Sequence, residues 1–266
     1  MERIKKALES ARQERKARQR EAPVFFPGAE PTPTETGKRG DRQTRSIAVE
    51  DAVLRENRIV TGMEHGPFTD AYNMLRTQVL QRFRENNWNV LAVTSPGEGE
   101  GKTLTAINLA ISIAREVDYT VLLVDANLRH PWMLKHFGLE PHLGLSEYLT
   151  EDVPIPELLV QSDRVEHLVI LPGGKPLDNS AEMLNSPKMK RLVEDMKSRY
   201  HSRIIIFDLP PVLSSADALA FSPYVDAALL VVEEGVTQKE DIEHAVELLS
   251  VTNIVGTVLN KAETSG

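Results

Sequence analysis

Residues 94–108 read TSPGEGEGKTLTAIN. The apolar run Val90–Thr94 predicts a short strand, and residues 103–115 predict a helix. Small residues at such a strand-to-helix turn let backbone N–H groups approach phosphate oxygens, and the positive end of the helix dipole adds to the attraction. Lys102 would then reach the β- and γ-phosphates, and Thr103 would ligate Mg²⁺. The stretch therefore predicts a loop that binds the phosphates of a nucleotide.

The predicted nucleotide contacts lie in the second half of this loop and in the first turn of the helix. Pro96 departs from the usual pattern, because such loops have their first glycine at this place. An ordinary glycine-rich turn is the alternative, but a Gly-Lys-Thr sequence placed directly between an apolar strand and a helix argues against it. The expected contacts are Gly99, Glu100, Gly101, Lys102, Thr103 and Leu104.

Two further apolar strands end in an aspartate. Asp125 closes a strand in VLLVDANLRHP, and Asp208 closes another in IIIFDLPPV. An aspartate at the end of a buried strand is poorly placed for packing but well placed to hold a hydrated metal ion. Together with the hydroxyl of Thr103, the two carboxylates would supply the oxygen ligands that Mg²⁺ prefers. The predicted metal ligands are therefore Thr103, Asp125 and Asp208.

Apolar strands alternate with amphipathic helices over most of the chain. Further strands are predicted at 120–125, 167–171, 203–208, 227–232 and 254–260, and further helices after residue 67 and at 187–200 and 237–250. Strands without polar alternation are buried on both faces, and strand–helix–strand units give a parallel sheet. The predicted fold is α/β: a P-loop NTPase with a mostly parallel sheet and helices on both faces.

Charge and composition divide the 266 residues into three parts. Residues 1–21 hold eight lysines and arginines against four glutamates in a chain of net charge −8, and they predict a basic amphipathic helix. Residues 22–60 are rich in proline, threonine and glycine and predict a flexible linker and lead-in. Residues 61–266 form the predicted nucleotide-binding domain.

Several classes of protein are disfavoured by the composition. The chain has no cysteine, so it has neither disulfides nor thiolate metal ligands. Its net charge of −8 argues against a nucleic-acid partner bound through bulk charge. It has no secretory leader and no apolar run near the ~20 residues that cross a bilayer. These features favour a cytoplasmic protein without a transmembrane segment of its own.

The motifs GEGEGKT, VLLVDANLRHP and IIIFDLPPVL together resemble the Walker A, A′ and B motifs of the bacterial protein-tyrosine kinases. These are P-loop autokinases of capsule and exopolysaccharide systems. The likeness runs from about residue 68 to residue 262 and includes AINLAISIA, LPGGKPLDNSAEML and VGTVLNKA. The opening ERIKKALESARQ resembles the branch associated with exosortase-linked exopolysaccharide loci.

The resemblance implies a Mg-ATP-dependent tyrosine autokinase that regulates exopolysaccharide polymerisation and export. It also implies a membrane chain-length co-polymerase as partner, a homo-oligomer, and a peripheral location at the inner face of the membrane. By position, the resemblance implies that Lys102, Asp125 and Asp208 are the catalytic residues, with Asp125 as the catalytic and metal-binding carboxylate. Asn260 corresponds to the residue that recognises the adenine edge in related P-loop proteins. The basic segment 1–21 is expected to dock on a partner.

Three departures from the family pattern qualify these expectations. Asn127 replaces the second aspartate of the A′ motif, so one negative charge beside the metal is missing. The family's oligomerisation motif, an acidic residue followed by two arginines, is represented only by Asp70, Asn73 and Arg76. No tyrosine follows Tyr224, whereas the family phosphorylates tyrosines in a C-terminal tail. We therefore expect weak autophosphorylation, with Tyr72 and Tyr148 as the more mobile acceptors.

Two other functions remain compatible with the sequence. One is a regulatory ATPase of the partitioning and division-site type, which shares the fold. Those ATPases have an additional lysine early in the loop, and Gly97 occupies that position here. The other is a docking subunit that responds to nucleotide without kinase activity, which the departures at Asn127 and in the tail favour.

Overall fold

The computed structural model describes residues 45–47, 49–60, 66–140, 142–199 and 203–262. The predicted N-terminal helix 1–21 and residues 22–44 of the predicted linker lie outside the described residues. Within the described part, the strands form one eight-stranded sheet in the order β1-β4-β5-β3-β6-β2-β7-β8. They are β1 Arg45–Ile47, β2 Val90–Thr94, β3 Thr120–Asp125, β4 Val160–Ser162, β5 Leu168–Leu171, β6 Arg203–Asp208, β7 Ala227–Glu233 and β8 Asn253–Asn260.

The sheet is parallel except where β4 pairs antiparallel with β5. The six strands predicted from apolar runs are all present, with ends within one residue of the predicted ones. Every side chain of β2 and of β6 is buried, as expected for central strands of a sheet that is covered on both faces. The predicted α/β fold with a mostly parallel sheet is confirmed.

Helices pack against both faces of the sheet. On one face Leu91 and Val93 of β2 join a core formed with the second and third helices, whereas Val90 and Ala92 join the core on the opposite face. No helix in the described residues is both long enough and apolar enough to cross a bilayer. The helices are α1 Asp51–Glu56, α2 Pro67–Asn86, α3 Lys102–Ala114, α4 Met133–His136, α5 Leu145–Glu151, α6 Ile155–Leu158, α7 Ser180–Leu184, α8 Pro187–Arg199, α9 Asp217–Phe221 and α10 Lys239–Leu248.

The lead-in before residue 61 is part of the folded domain. Strand β1 extends the sheet beside β4, and Leu54 and Ile59 are buried in the core that α2 and α3 share. The side chain of Asn108 on α3 fixes the end of this segment, since it accepts a hydrogen bond from the Val60 N–H at 2.8 Å. The described residues of this segment thus pack on the domain that is predicted to begin at residue 61. The few apolar residues of the lead-in are irregularly spaced and carry no periodic signal.

Helix α2 is joined to α3 by the residues that stand in the place of the oligomerisation motif. Arg76 donates hydrogen bonds to the Ser112 carbonyl at 3.1 Å and to Asn73 Oδ1 at 3.3 Å. Its guanidinium also forms an ion pair with Glu116 at 2.9 Å. Asp70 is exposed on the same helix. In this chain, two of the three motif positions therefore serve the packing of α2 on α3.

Leu54→Ala tests whether the lead-in belongs to the domain. Leu54 is only 4% exposed, so its truncation should lower the free energy of unfolding by about 2–5 kcal/mol. Urea denaturation measures this change, and Glu56→Ala, at an exposed position of the same helix, is the matched control. A stability equal to that of the wild type would show that residues 45–60 do not contribute to the core in solution.

Candidate active site

The loop between β2 and α3 is closed by its own side chains. Ser95 Oγ donates to the Gly97 carbonyl at 2.6 Å, and the Gly97 N–H donates to Glu100 Oε2 at 2.9 Å. Thr237 Oγ1 donates to Glu100 Oε1 at 2.5 Å, which ties the loop to the segment that follows β7. The Glu100 carboxylate, 4% exposed, is therefore engaged within the protein, and a nucleotide contact at this residue falls to its backbone.

Pro96 lies where the loop after β2 is hydrogen-bonded to the segment that follows β6. The Ser95 carbonyl accepts the Val212 N–H at 2.8 Å, and the Pro96 carbonyl accepts the Leu213 N–H at 3.2 Å. Pro96 therefore contributes an acceptor here, and its missing N–H costs the loop no hydrogen bond within the protein.

Gly101 and Asn260 meet at the end of the loop. The φ of Gly101 is +92°, and a Cβ built at this position would collide with the carboxamide of Asn260. Asn260 Nδ2 donates to the Glu100 carbonyl at 2.8 Å, so the last residue of β8 holds the loop directly. Only glycine fits this backbone at position 101. The assignment of Asn260 to the adenine edge stays a prediction.

The first turn of α3 supplies the amides for a phosphate. Thr105 is the first residue whose N–H bonds back into the helix, to the Gly101 carbonyl at 2.9 Å. The N–H groups of Lys102, Thr103 and Leu104 precede it and have no acceptor within the helix. Such amides, together with the helix dipole, bind anions. The structure thus places these three predicted nucleotide contacts in one turn.

The two strand-end aspartates lie side by side on adjacent strands. Asp125 and Asp208 are register partners of β3 and β6, and both are almost fully buried. Thr103 Oγ1 donates to Asp208 Oδ2 at 2.7 Å. Asp125 accepts the N–H groups of Asn127 at 3.2 Å and Met133 at 3.1 Å. The three predicted metal ligands therefore converge at the carboxyl edge of the sheet.

Burial controls the protonation of this pair. Removal from water and, next, the nearby Asp208 carboxylate raise the pKa of Asp125 to about 8, opposed by the two backbone hydrogen bonds and by Lys102. Burial also raises the pKa of Asp208, opposed by Lys102 and by the Thr103 hydroxyl. The pKa of His136 is lowered by burial and by Lys102. The site therefore favours a cation that can compensate the buried carboxylates.

The donor set fits Mg²⁺. Asp208 Oδ1 and Asn127 Oδ1 are buried and have no hydrogen-bond partner in the described part of the chain. Buried oxygens of this kind are normally satisfied, so they are natural ligands for a cation or its bound water. Among the described residues, no three His, Cys, Asp or Glu side chains gather at one point, so a cation here depends on Thr103 and Asn127 as well.

A cavity of about 500 Å³ opens beside the loop. Lys102 and Thr103 border it, and so do Asn127 and Pro210 from the ends of the aspartate-bearing strands. The remaining lining comes from the loops after β2, β3 and β6: Glu98, Gly99, Arg129, His130, Trp132, His136, Pro211, Ser214 and Ser215.

One element of the site is absent from the sequence-based prediction. Arg129 lines the cavity, and its Nε donates to the carboxylate of Asp217, which is fully buried on α9. Ser180 Oγ donates to the same carboxylate at 2.5 Å. Arg129 lies in the quoted VLLVDANLRHP stretch, but Asp217 is 88 residues away and carries no local signal.

The fold, the loop and the paired strand-end carboxylates define a P-loop NTPase. A family described as an AAA domain matches residues 88–253. Tyrosine-protein kinase YwqD of Bacillus subtilis (strain 168) is 34% identical over 72% of this chain and 80% of that protein. Tyrosine-protein kinase CpsD of Streptococcus pneumoniae serotype 4 is 34% identical over 73% of this chain and 84% of that protein. The chain belongs to the bacterial tyrosine-protein kinases.

Solved structures and a longer relative agree with this assignment. The kinase domain of Escherichia coli tyrosine kinase ETK covers 84% of this chain and 91% of its own, with a TM-score of 0.71 and 25% identity. The septum site-determining protein MinD of Pyrococcus horikoshii, 22% identical with a TM-score of 0.55, shares the fold. The succinoglycan biosynthesis transport protein ExoP of Rhizobium meliloti is 30% identical over 84% of this chain but only 29% of that protein.

The raised pKa values predict how magnesium-dependent nucleotide binding varies with pH. A cation requires ionised carboxylates, and the pKa of Asp125 near 8 means that a proton leaves on binding at neutral pH. Mg²⁺ affinity should therefore rise between about pH 7 and pH 8, by up to about tenfold for one proton released, and level off above.

The measurement is a titration of Mg²⁺ against a fluorescent ATP analogue bound to the protein at each pH. Asp125→Asn should show a shallower pH dependence, because one of the two titrating carboxylates is removed. An affinity independent of pH in the wild type over this range would contradict a protonated carboxylate at the site.

Proposed function

We propose that this chain is a Mg-ATP-dependent protein-tyrosine kinase whose acceptor tyrosine is supplied by another chain or segment. The observation that supports this most directly is the hydrogen bond between Thr103 and Asp208 beside the unsatisfied oxygens of Asp208 and Asn127. A hydroxyl, two carboxylates and a phosphate-binding helix start are the parts that phosphoryl transfer requires.

Each residue has a defined part in the proposed reaction. Lys102 and the first amides of α3 hold the phosphates, and Thr103, Asp208 and Asp125 hold Mg²⁺. When bound, Mg²⁺ neutralises charge on the transferred phosphoryl group. The γ-phosphoryl group passes to the phenol oxygen of a tyrosine and ADP leaves, while Asp125 orients the phenol and accepts its proton. The ionised carboxylate of Asp125 can act as that proton acceptor.

The two tyrosines expected to be mobile acceptors are held in the domain. Tyr72 is only 8% exposed, packs edge-to-face against Phe68 with ring centroids 5.2 Å apart, and has its pKa raised by burial. Tyr148 lies within α5, and the Lys188 ammonium sits 4.6 Å from its ring centroid. The expectation that these two residues are mobile is therefore wrong, because helix packing fixes both.

Two other phenols are also engaged. The hydroxyl of Tyr119 accepts a hydrogen bond from Arg84 Nε at 2.9 Å, and that of Tyr224 donates to Asn185 Oδ1 at 2.5 Å. Tyr200 lies outside the described residues. Phosphoryl transfer needs close alignment of acceptor and phosphate, which a phenol anchored in its own domain does not reach without local opening. This supports an acceptor that comes from outside the described domain.

The biological setting is also part of the proposal. Relatives named CpsD and ExoP support a kinase that acts in an exopolysaccharide system. We infer that a membrane chain-length co-polymerase is the partner, that residues 1–21 dock on it, and that homo-oligomers bring active sites close to neighbouring acceptors. In this arrangement the enzyme works at the inner face of the membrane through its partner.

The kinase proposal is tested by supplying the acceptor in trans. The purified chain with Mg-ATP should label itself weakly, yet phosphorylate an added tyrosine-containing polypeptide, as followed by intact mass and phosphosite mapping. Lys102→Ala should lose both activities while it remains folded, because Lys102 supplies charge to phosphates and packs no core.

Three results would count against the proposal. Rapid stoichiometric self-labelling at Tyr72 or Tyr148 would show that the domain tyrosines are accessible. Activity retained in Lys102→Ala would remove the loop from the mechanism. ATP hydrolysis without phosphotyrosine on any acceptor would favour the regulatory-ATPase alternative.

Deletion of residues 1–21 tests the docking role. The shortened protein should bind ATP as the full chain does, because the described domain begins at residue 45. It should no longer co-sediment with vesicles that carry the co-polymerase. As a matched control, reversal of the charge of Lys5, Lys6 and Arg12 in the full-length chain should reproduce the loss if charge drives docking. Undiminished co-sedimentation of the deleted form would contradict the assignment.

A further inference from the structure

Trp132 is an exposed aromatic residue at the mouth of the active-site cavity. Its side chain is 59% exposed, although burial is the usual outcome for so large an apolar surface. It lines the same cavity as Lys102, Thr103 and Asn127. Exposed aromatic side chains beside a binding site commonly contact the bound molecule, so Trp132 is placed to contact a ligand.

The tryptophan is held rigidly with respect to the catalytic carboxylate. The N–H of the next residue, Met133, donates to Asp125 Oδ2 at 3.1 Å. The Trp132 carbonyl accepts the Lys135 N–H at 3.0 Å, at the start of α4. Gly173 closes over the other side of this turn, since a Cβ there would lie 3.2 Å from Asp125 Cγ. The backbone that carries the ring is therefore positioned by the reaction centre itself.

Sheet order places Trp132 on one particular side of the phosphate loop. The loop follows β2, and Trp132 follows β3, which is separated from β2 by β6. Asn260 ends β8, on the opposite side of β2 beyond β7. The cavity that Trp132 borders has no lining residue from β7 or β8. If the base lies toward Asn260, the group that receives the phosphoryl lies toward Trp132.

Basic side chains surround the mouth of the cavity. The Lys135 ammonium lies 4.8 Å from the centroid of the Trp132 ring, and the His130 ring is tilted against it at 5.9 Å. Arg129 and His136 line the same cavity, and Glu98 is the acidic side chain of its lining. Such a surface favours an acceptor with negative charges next to the reacting group.

We propose that Trp132, flanked by His130 and Lys135, is the subsite that positions the acceptor tyrosine. The phenol ring stacks on the exposed part of the indole, and acidic residues beside the tyrosine pair with the Lys135 ammonium and accept a hydrogen bond from the His130 ring. The ligand is thus a tyrosine in an acidic peptide segment. This inference rests on the proposed kinase function and identifies the substrate class of the same site.

Binding is measured independently of turnover. A fluorescein-labelled peptide, Glu-Glu-Glu-Tyr-Glu-Glu-Glu, is titrated by anisotropy in the presence of Mg²⁺ and a non-hydrolysable ATP analogue. Trp132→Ala should weaken peptide binding roughly three- to tenfold, the range of one aromatic contact, whereas Trp132→Phe should stay within about twofold. Peptides with alanine for tyrosine, or with lysine for glutamate, should bind the wild type more weakly and respond less to Trp132→Ala.

Two further variants separate the subsite from general effects. Lys135→Glu should reduce the preference for glutamate over lysine in the peptide. Phe68→Ala, at a half-exposed aromatic on α2 outside the cavity lining, is the matched control and should bind both peptide and nucleotide as the wild type does. In steady-state assays, Trp132→Ala should raise the KM for the peptide and leave the KM for ATP unchanged.

The outcomes distinguish this proposal from the function on which it rests. Peptide affinity unchanged in Trp132→Ala overturns the subsite even if the wild type phosphorylates tyrosine. If Trp132→Ala weakens binding of the ATP analogue but leaves peptide affinity unchanged, the acceptor subsite is overturned, and Trp132 instead contacts the nucleotide base. Trp132-dependent peptide binding without any phosphotyrosine would retain the subsite and refute the kinase proposal.

Discussion

The burial of two carboxylates side by side is the constraint on which this active site depends. Asp125 and Asp208 end adjacent parallel strands, so the register of the sheet alone brings them together. Their charges are unfavourable there without compensation, which the raised pKa values of both express. Lys102 and the Thr103 hydroxyl supply part of that compensation, and a cation with nucleotide would supply the remainder. The two buried carboxylates thus favour the binding of a cation at this edge of the sheet.

The phosphate loop is preorganised by residues from distant parts of the chain. Thr237, Leu213 and Asn260 all hold its backbone or its Glu100 side chain. Each of these contacts comes from the carboxyl edge of the same sheet, where β2, β6, β7 and β8 end together. Preorganisation of this kind reduces the cost of ordering the loop when the phosphates bind. Pro96 is compatible with this arrangement because its carbonyl, which accepts the Leu213 N–H, makes the contact.

The tyrosines of the described domain are held in place, and we expect this to limit phosphorylation of the protein by itself. Four phenols of the described domain are packed or hydrogen-bonded, whereas the cavity beside Lys102 opens toward solvent at Trp132. An ordered phosphate loop beside a cavity that opens to solvent suits the proposed acceptor tyrosine on another chain or segment. Arg129 is also held in place, because it donates to the buried carboxylate of Asp217, which in turn accepts a hydrogen bond from Ser180.

Six of the eight strands, the phosphate loop and the aspartates at 125 and 208 could be predicted from the sequence, because apolar runs and the residues that end them are local signals. The sequence also indicated the kinase family through three motifs. Only the tertiary structure decided that residues 45–60 join the core, that Asp217 holds Arg129, and that Tyr148 is fixed within a helix. These features depend on contacts between residues far apart in the chain, and such contacts leave no local pattern from which they could be predicted.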